Sequence, residues 1–350
     1  MLDSIIAAYG FVKKSVQVRS FGSGLINSTW HITAPDGNYI LQRINHQIFK
    51  KPFDIADNIN GIKKYLEVKF PGYLFVAPVS TIRNKEIFYA QDEGYYRLFP
   101  FIKGSHTIDV AESSEQAFEA AKQFGKFTRV LSGFDTSTLK ITLPDFHNLS
   151  LRYQQFLHSL HSGNKKRINE SAEIILFLKE HAGIVAEYER IKTDKNFKLR
   201  VTHHDTKISN VLFDDKDKGL CVIDLDTVMP GYFISDAGDM LRTYLSPVSE
   251  EEKDFELIKI RTDFFKAIAE GYINEMKEEL SPVEKEHFVY AGKFMIYMQA
   301  IRFITDYIND DIYYGSKYSG HNFIRANNQV TLLQKLLEKE NILKEITRKL

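Results

Sequence analysis

The chain has 350 residues, and its 43% of hydrophobic and 26% of charged residues are typical of a soluble globular protein large enough for two lobes. Lysine plus arginine and aspartate plus glutamate number 46 each, which excludes a net field that would attract nucleic acid or an anionic membrane. The lone cysteine, Cys221, excludes an intrachain disulfide and favours a cytoplasmic setting, and no apolar run or leader pattern predicts a membrane span or a secretory signal.

Strand patterns dominate the first hundred residues. Segments rich in β-branched and aromatic residues predict strands at 16–19, 29–34, 39–44 and 95–101. The turn Pro35-Asp36-Gly37-Asn38 predicts that the second and third strands form a hairpin. One helix is expected at 53–68, because apolar residues recur there at helical spacing.

Helical patterns take over beyond Gly104. Capping-box patterns predict helix starts at 113–116, 249–252 and 281–284. The last of them predicts a single helix that runs past Phe303. We therefore expect an α+β, bilobal fold, with a small, mainly β lobe with one helix at 1–102 and a larger, mainly α lobe at 103–350.

A loop in the second lobe carries the acidic groups of a phosphoryl-transfer site. The segment His203-His204-Asp205-Thr206-Lys207-Ile208-Ser209-Asn210, followed by Asp224, has the order and spacing of a kinase catalytic loop. Two short strands between them predict a hairpin that brings Asp224 to the same end as the loop. Asp205 could accept the proton of an acceptor hydroxyl, and Asn210 and Asp224 could hold magnesium. Lys207 could neutralise the γ-phosphate during transfer, and His203 is grouped with these catalytic candidates.

Residues of the first lobe suggest where phosphates would bind. Gly22 and Gly24, with Asn27 where a third glycine would stand, form a partial phosphate-binding loop between the first two strands. A cation that grips phosphate is expected on the third strand of a kinase. Because that strand contains no lysine, Arg43 is the candidate.

Further candidates surround these two segments. Phe99 and Phe101 lie where one lobe passes to the other, and their rings could pack on a nucleotide base. Asp226, two residues beyond Asp224, could help to hold the metal or could shape its loop by accepting hydrogen bonds. Asp236, near the start of a helix, is predicted to brace the catalytic loop from behind.

These motifs together resemble the aminoglycoside phosphotransferase and choline kinase superfamily. The resemblance rests on H-x-D-x4-N at 203–210, I-D-L-D at 223–226 and G-x4-D at 231–236. More narrowly, segments resemble the N-acetylhexosamine 1-kinases at 96–102, 144–147, 205–231, 302–307 and 321–325. Together the similar segments extend over nearly the whole chain.

The resemblance implies a protein-kinase-like fold, with residues 1–102 binding nucleotide and residues 103–350 carrying catalysis and sugar binding. It implies ATP and Mg2+ as cosubstrates and the anomeric hydroxyl of an N-acetylhexosamine, GlcNAc or GalNAc, as acceptor. Asp205 would be the base, and Asn210 and Asp224 the metal ligands. The superfamily often has glycine where this chain has His204, whose side chain could narrow the site. The expected partners are a nucleotide and a small sugar, with no nucleic acid or membrane, and the chain is expected to be a monomer, with a weak dimer as the alternative.

An amino sugar offers hydroxyls and an acetamide, so a pocket that recognises it requires forked donors, carboxylates and an aromatic face. Polar residues in otherwise apolar helical segments are the candidates: His147, Arg152, Arg242, Arg302, Asp306, Tyr307, His321 and Arg325. Each of them could instead make an ordinary hydrogen bond or ion pair between helices. Arg302 and Asp306 are four residues apart, so they could pair with each other.

Other functions remain open at this stage. The segment 222–228 also fits a haloacid-dehalogenase-type phosphatase, with Asp224 as nucleophile and Asp226 as acid/base, but that motif normally opens its domain. A kinase of another small alcohol, such as choline or an aminoglycoside, would use the same chemistry with an acidic pocket for a cationic acceptor. A non-catalytic relative of the kinase fold is the third alternative, and the intact catalytic and metal-binding side chains argue against it.

Overall fold

The N-terminal lobe is built on an antiparallel sheet, and the computed structural model describes residues 2–22 and 26–350 of the chain. The strands of this sheet are β1 (Gln17–Ser20), β2 (Ser28–Ala34), β3 (Gly37–Ile44), β4 (Phe88–Ala90) and β5 (Gly94–Pro100). Their order is β1-β2-β3-β5-β4, and the predicted hairpin joins β2 to β3. The sequence did not predict β4, because a strand of three residues is too short to show a period.

Helix α1 (Leu2–Ala8), which the sequence did not predict, covers one face of the sheet. Ile5 and Ile6 of this helix belong to one buried cluster with Ile32, Leu41 and Leu98 of the strands. Because neighbouring residues of a strand point to opposite faces, this covered face is apolar. In each strand, the residues next to Ile32, Leu41 and Leu98 face the opposite way, towards the larger lobe.

Helix α2 (Pro52–Lys69) comes early in the chain but packs on the larger lobe. Its apolar residues join the large hydrophobic cluster of the C-terminal helices: Ile55, Ile59, Ile62 and Leu66. The buried Asn58 donates its amide to the backbone oxygens of Lys140 (2.9 Å) and Val228 (3.0 Å). This helix therefore packs on the larger lobe while its Phe53 ring contacts Tyr95 of β5, and the lobe boundary at residue 102 stays a prediction.

The larger lobe is mainly helical, as the sequence predicted. Its helices are α3 (Ser114–Val130), α4 (Leu149–Ser162), α5 (Lys165–Glu170), α6 (Ala172–Glu180), α7 (Gly183–Thr193), α8 (Phe233–Tyr244), α9 (Thr262–Met276), α10 (Pro282–Glu286), α11 (Phe288–Ile308) and α12 (His321–Arg348). Helix α3 packs along α9, and α11 lies between α8 and α12. A Cβ on Gly238 of α8 would lie 2.4 Å from the backbone oxygen of Ala291 in α11, so glycine allows this close approach. In the two described ranges no helix is long and apolar enough to cross a membrane.

The predicted helix starts are confirmed in two places out of three. Ser113 and Ser281 each form a capping box with the residue three positions on. The helix expected to run on from Ser281 is interrupted at His287, where α10 gives way to α11. The predicted start at 249–252 is wrong, because the following turn at 255–257 is capped by Asp254 and α9 begins later.

Two small sheets within the larger lobe position the catalytic loop. Their strands are β6 (Arg200–Thr202), β7 (Val211–Phe213), β8 (Gly219–Val222) and β9 (Met229–Gly231). Strands β7 and β8 form the predicted hairpin, and β6 pairs with β9. Backbone hydrogen bonds in both directions between His106 and Phe213 (3.0 and 2.9 Å) join this hairpin to the segment that links the lobes.

Candidate active site

Two carboxylates of helix α8 fix the loop that follows β6. Asp236 accepts the backbone N–H groups of His203 (3.0 Å) and His204 (2.8 Å), in agreement with its predicted bracing role. One helical turn further on, Asp239 accepts the backbone N–H of Thr206 at 2.8 Å. Burial raises the pKa of Asp236 to about 7, although the two hydrogen bonds act in the opposite direction. These hydrogen bonds to helix α8 therefore fix the backbone conformation of the catalytic loop.

The side chain of His203 supports this loop and does not have the catalytic position that the sequence suggested. The residue is fully buried, and its Nε2 lies 2.9 Å from the carbonyl oxygen of Ile223. Its ring meets the ring of Phe124 edge-on at 5.2 Å. Burial lowers the pKa of His203, although the contact with Ile223 opposes the shift. The neutral ring therefore ties the loop to the residue that precedes Asp224.

His204 fills the space between the loop and β9. Its backbone is left-handed, with φ of +67°, which explains why glycine suits this position in similar proteins. The side chain lies against Gly231, where an added Cβ would be 2.5 Å from the Nε2 atom of His204. Burial lowers the pKa of His204 to about 4, so the imidazole is neutral. The ring is 5% exposed and stabilises the loop from its inner side.

Asp205 and Lys207 form an ion pair where the loop faces the cleft. The Nζ atom of Lys207 lies 3.1 Å from Oδ1 of Asp205. Burial acts to raise the pKa of Asp205, but Lys207 and His203 outweigh it and hold the pKa below its usual range. Burial also acts against the charge of Lys207, but Asp205 and Asp239 outweigh it and raise the pKa of the ammonium. Asp205 is therefore ionised near neutral pH, as a proton acceptor must be.

Asn210 and Asp224 lie at the same end of the hairpin, as predicted. The backbone N–H of Ile223 donates to the carbonyl oxygen of Asn210 at 2.8 Å, and the Asn210 amide donates to the carbonyl oxygen of Asp205 at 2.9 Å. Asp224 is accessible from the cleft, yet the surrounding protein and the carboxylates of Asp226 and Asp205 raise its pKa to about 7. A divalent cation would stabilise such crowded carboxylates, and oxygen ligands suit Mg2+. The donor set therefore fits magnesium.

Asp226 is engaged by protein groups in this structure, and its expected place in the metal site stays a prediction. Its Oδ1 atom lies 2.5 Å from Nη1 of Arg97, and 2% of each side chain is exposed. Its Oδ2 atom accepts a hydrogen bond from the amide of Asn27 at 2.9 Å. Among residues 2–22 and 26–350, no three His, Cys, Asp or Glu side chains cluster as a metal site. One oxygen of Asp226 thus accepts a hydrogen bond, and the other makes an ion contact with Arg97.

Arg43 lies on the wrong face of β3 for the phosphate contact expected of it. It is exposed and shares the strand face of Leu41, which is covered by α1. Its neighbour Gln42 faces the larger lobe and accepts hydrogen bonds from Nε (3.0 Å) and Nη2 (2.6 Å) of Arg97 on β5. The buried cation on the cleft face of the sheet is therefore Arg97.

Of the two glycines in the candidate phosphate-binding loop, Gly22 lies within the described residues. Gly22 has a left-handed φ of +75°, and a Cβ there would touch no neighbouring atom. Gly24 lies outside the described residues. Asn27 accepts the backbone N–H of Asn45 at 2.9 Å and donates to Asp226, so the end of the loop is tied to both lobes.

Phe99 and Phe101 lie on the cleft face of the sheet, where a base site was expected. The guanidinium of Arg97 lies 5.0 Å from the centroid of the Phe99 ring. Phe101 meets the ring of His31 edge-on at 5.1 Å, and the ring of Phe21 lies 6.4 Å from it. These rings form an aromatic wall next to the segment that links the lobes. Their contact with a nucleotide base stays a prediction.

A wall of cationic and aromatic side chains adjoins the catalytic loop, and it contains His147 and Arg302, whose contact with a substrate stays a prediction. His147 stacks on Phe146 at 4.4 Å and lies 5.3 Å from the ring of His204. Burial, together with His204 and Arg302, lowers the pKa of His147 well below its usual range. The guanidinium of Arg302 lies 5.3 Å from the ring of Tyr314. We call this group, with Phe146 and Tyr314, the acceptor wall.

Arg242 and Arg325 share one carboxylate beside this wall. Arg242 binds Glu250 at 2.7 Å and Asp239 at 2.9 Å, while Arg325 binds the other oxygen of Glu250. Burial acts to raise the pKa of Glu250, but the two arginines outweigh it and lower the pKa. Arg325 also lies 3.8 Å from the centroid of the Phe303 ring. Both arginines are thus paired, and their contact with an acceptor stays a prediction.

Asp306 has a structural role in the described residues, and its contact with an acceptor stays a prediction. It accepts the backbone N–H groups of Tyr313 (2.7 Å) and Tyr314 (2.9 Å) and the amide of Asn322 (3.1 Å). These bonds hold the loop between α11 and α12. The expected ion pair with Arg302 is replaced by these contacts.

His321 is also paired within the protein, and its contact with an acceptor stays a prediction. Its Nε2 atom lies 2.6 Å from a carboxylate oxygen of Glu251, and 4% of its side chain is exposed. Residues that the sequence did not single out complete the cleft: His31, Gln42, Asp239, Glu250 and Tyr314. Most of them act through contacts between segments far apart in the chain, for which a single sequence offers no signal.

Comparison with known proteins assigns the chain to a family. The sequence model of the phosphotransferase enzyme family (APH) matches residues 17–256, so the chain belongs to that family. The matched region includes the glycine loop, the catalytic loop and helix α8. The protein is accordingly an enzyme that transfers a phosphoryl group to the hydroxyl of a small molecule. The alternative of a haloacid-dehalogenase-type phosphatase is therefore wrong.

Solved structures with similar folds are kinases of small molecules. A microcompartment-associated aminopropanol kinase superposes with a TM-score of 0.68 at 13% identity, over 97% of each chain. The amicoumacin kinase hAmiN gives 0.62 at 15% identity, over 95% of this chain and 92% of that one. A choline kinase from Cryptosporidium parvum gives 0.57 at 13% identity, over 97% and 96%. At these identities the likeness supports the kinase-like fold.

Proposed function

We propose that this protein is an ATP- and Mg2+-dependent sugar kinase that phosphorylates the anomeric hydroxyl of an N-acetylhexosamine, GlcNAc or GalNAc. The observation that carries the proposal is the Asp205–Lys207 ion pair in a loop that is bonded to Asn210 on one side and, through His204, adjoins the acceptor wall on the other. Relatives of the same fold support the nucleotide, since hAmiN was solved with AMP-PNP and Ca2+ and a spectinomycin phosphotransferase with ADP.

The side chains have separate tasks in the proposed transfer. Asp205 accepts the proton of the acceptor hydroxyl as that oxygen forms its bond to the γ-phosphorus, and the bond from phosphorus to ADP breaks. Lys207 keeps Asp205 ionised and places a positive charge beside the transferred group. Asn210 and Asp224 offer oxygen ligands to magnesium, which neutralises negative charge on the phosphate oxygens.

The acceptor wall supports a neutral, hydroxyl-rich acceptor over a cationic one. Arg302 offers a forked donor next to the aromatic face of Tyr314, a combination that suits the hydroxyls and the acetamide of an amino sugar. The nearby carboxylates of Asp239 and Glu250 are already paired with Arg242. A choline or aminoglycoside amine would meet arginines here, which disfavours that alternative.

The choice of an N-acetylhexosamine depends on the narrower resemblance. Segments similar to the N-acetylhexosamine 1-kinases include 96–102, 144–147 and 302–307. The first contributes residues to the cleft face of β5, and the other two contribute His147 and Arg302 to the acceptor wall. Sequence similarity therefore coincides with the surfaces that would contact nucleotide and acceptor.

The test is a panel of free sugars and amino alcohols incubated with ATP and Mg2+, with products identified by phosphorus and proton NMR. We expect GlcNAc or GalNAc to give a product whose phosphorus is coupled to the anomeric proton. Choline and an aminoglycoside serve as matched acceptors of the alternative class, and the Asp205→Asn variant serves as the inactive control. Preferred phosphorylation of either amine, or of another sugar hydroxyl, would contradict the proposal.

A further inference from the structure

Arg97 is the most deeply buried charged group on the cleft face of the N-terminal sheet. Its Nε and Nη2 atoms donate to one oxygen of Gln42, its cross-strand neighbour on β3. Its Nη1 atom lies 2.5 Å from Asp226 in the other lobe. A buried ion pair of this kind is costly unless both charges are compensated, so its position between lobes calls for a role beyond packing.

The ion pair continues into the glycine loop. Asp226 uses its second oxygen to accept the amide of Asn27, and Asn27 in turn accepts the backbone N–H of Asn45. One chain of polar contacts therefore connects β5, the glycine loop and the segment that contains Asp224. We call this chain, from Arg97 through Asp226 to Asn27, the interlobe link.

The usual ion pair of protein kinases has no counterpart in the described parts of this chain. In protein kinases a lysine on the third strand pairs with a glutamate on the following helix. Here the cleft-facing residue of β3 is Gln42, and the buried polar residue of α2 is Asn58, which binds the larger lobe through Lys140 and Val228. Both charges of the pair are instead supplied from other elements, Arg97 from β5 and Asp226 from the turn that follows Asp224.

We propose that Arg97 is a positioning residue, and that the interlobe link takes the place of the lysine–glutamate pair in holding Asn27, at the end of the glycine loop, next to the segment that contains Asp224. The inference depends on the nucleotide site of the proposed function. Arg97 neutralises Asp226, so that Asp224 remains the carboxylate available to the metal, and it fixes Asp226 so that Asn27 keeps the end of the loop in place. Binding of the nucleotide phosphates therefore depends on Arg97, whereas binding of the nucleoside does not.

The experiment compares the affinities of ATP with Mg2+ and of adenosine, measured by calorimetry without acceptor, in Arg97→Met and in the double variant Arg97→Met/Asp226→Leu. Leaving Asp226 unpaired should lower the melting temperature of the single variant by several degrees, and removing both charges should restore most of it. Both variants should bind ATP at least about tenfold more weakly, with little change for adenosine. Arg97→Lys should recover only part of the ATP affinity, because an ammonium cannot hold Gln42 and Asp226 together.

A matched control is the Lys293→Met/Glu340→Leu double variant, which removes an ion pair of 2.8 Å between α11 and α12. It should leave the affinities of ATP and adenosine unchanged. If the Arg97→Met/Asp226→Leu variant binds ATP as tightly as the wild type, the pair has only a structural role and the proposal is overturned.

Asn27→Ala tests the link without removing a buried charge. It should leave the melting temperature nearly unchanged and weaken ATP several-fold, with adenosine unaffected; equal affinity for ATP would overturn the proposal. Since no acceptor is present, a wrong assignment of the sugar leaves all these measurements unchanged. Failure of the wild type to bind ATP with Mg2+ would count against the proposed function instead.

Discussion

Gly231 and His204 are matched to each other across the start of the catalytic loop. An added Cβ on Gly231 would lie 2.5 Å from Nε2 and 2.7 Å from Cε1 of the His204 ring. The histidine in turn adopts a left-handed backbone that glycine tolerates better. The His204 ring therefore fits its place only because residue 231 has no side chain.

Gly231→Ala should destabilise the fold, because the methyl group overlaps a buried ring with little room to move. The expected loss is about 1–3 kcal/mol in the free energy of unfolding, measured by urea denaturation. His204→Gly/Gly231→Ala should recover much of this loss, since the space vacated by the ring accepts the methyl group. Strictly additive effects of the two substitutions would show that the residues are not coupled.

Asp236→Ala should loosen the catalytic loop from behind. The backbone N–H groups of His203 and His204 would lose their buried acceptor, at a cost of about 1–3 kcal/mol for each group left unpaired. The turnover rate should fall together with the stability, since the loop positions Asp205. Asp236→Asn retains one acceptor oxygen and should give an intermediate loss in both urea denaturation and turnover assays. A normal turnover rate in the alanine variant would contradict the bracing role.

The catalytic loop was predictable because its residues are contiguous and their spacing follows from one hairpin. The spacing of Asp205, Asn210 and Asp224 depends only on local backbone structure, and β7 and β8 supply it. The strand patterns of the N-terminal sheet were equally local. Local patterns therefore predicted the longer strands of the sheet and the hairpin that brings Asn210 and Asp224 to one end.

Roles that depend on contacts between distant segments were not predictable. Arg43 and Arg97 are both arginines in strands, and the face on which each lies depends on the packing of α1, which left no signal in the sequence. Asp226 was assigned by its nearness to Asp224, but Arg97 from the other lobe occupies it. Asp306 was a candidate substrate contact, with an ion pair to Arg302 as the alternative, and nothing in the sequence indicated that the backbone of the next loop binds it.

Asp224→Ala should weaken the dependence on magnesium as well as the rate. Removing the carboxylate takes away an oxygen ligand, so the Mg2+ concentration for half-maximal activity should rise by about tenfold or more. Asp215→Asn, an exposed position in the turn of the same hairpin, removes one negative charge at its other end and serves as the control. An unchanged magnesium titration in Asp224→Ala would remove this residue from the metal site.

Arg302→Ala should separate acceptor binding from nucleotide binding. Since the guanidinium lies in the acceptor wall over Tyr314, we expect KM for the sugar to rise about tenfold or more while KM for ATP stays within about twofold. Asp306→Asn, four residues along the same helix, should lower the melting temperature and leave the ratio of the two KM values unchanged. Equal changes in both KM values for Arg302→Ala would contradict its place in the acceptor wall.

Asp205→Asn should retain ATP binding and lose transfer. The amide keeps the size of the side chain but cannot accept the proton of the acceptor hydroxyl, so kcat should fall by about 10²–10⁴-fold. Lys207 loses its ion-pair partner at 3.1 Å but keeps its charge for the phosphate, so the affinity for ATP measured by calorimetry should change little. Lys207→Met, which leaves the carboxylate and removes the ammonium, is the matched variant and should weaken ATP binding as well as turnover. Near-normal turnover in Asp205→Asn would assign the proton to another acceptor and refute the role of this carboxylate as the base.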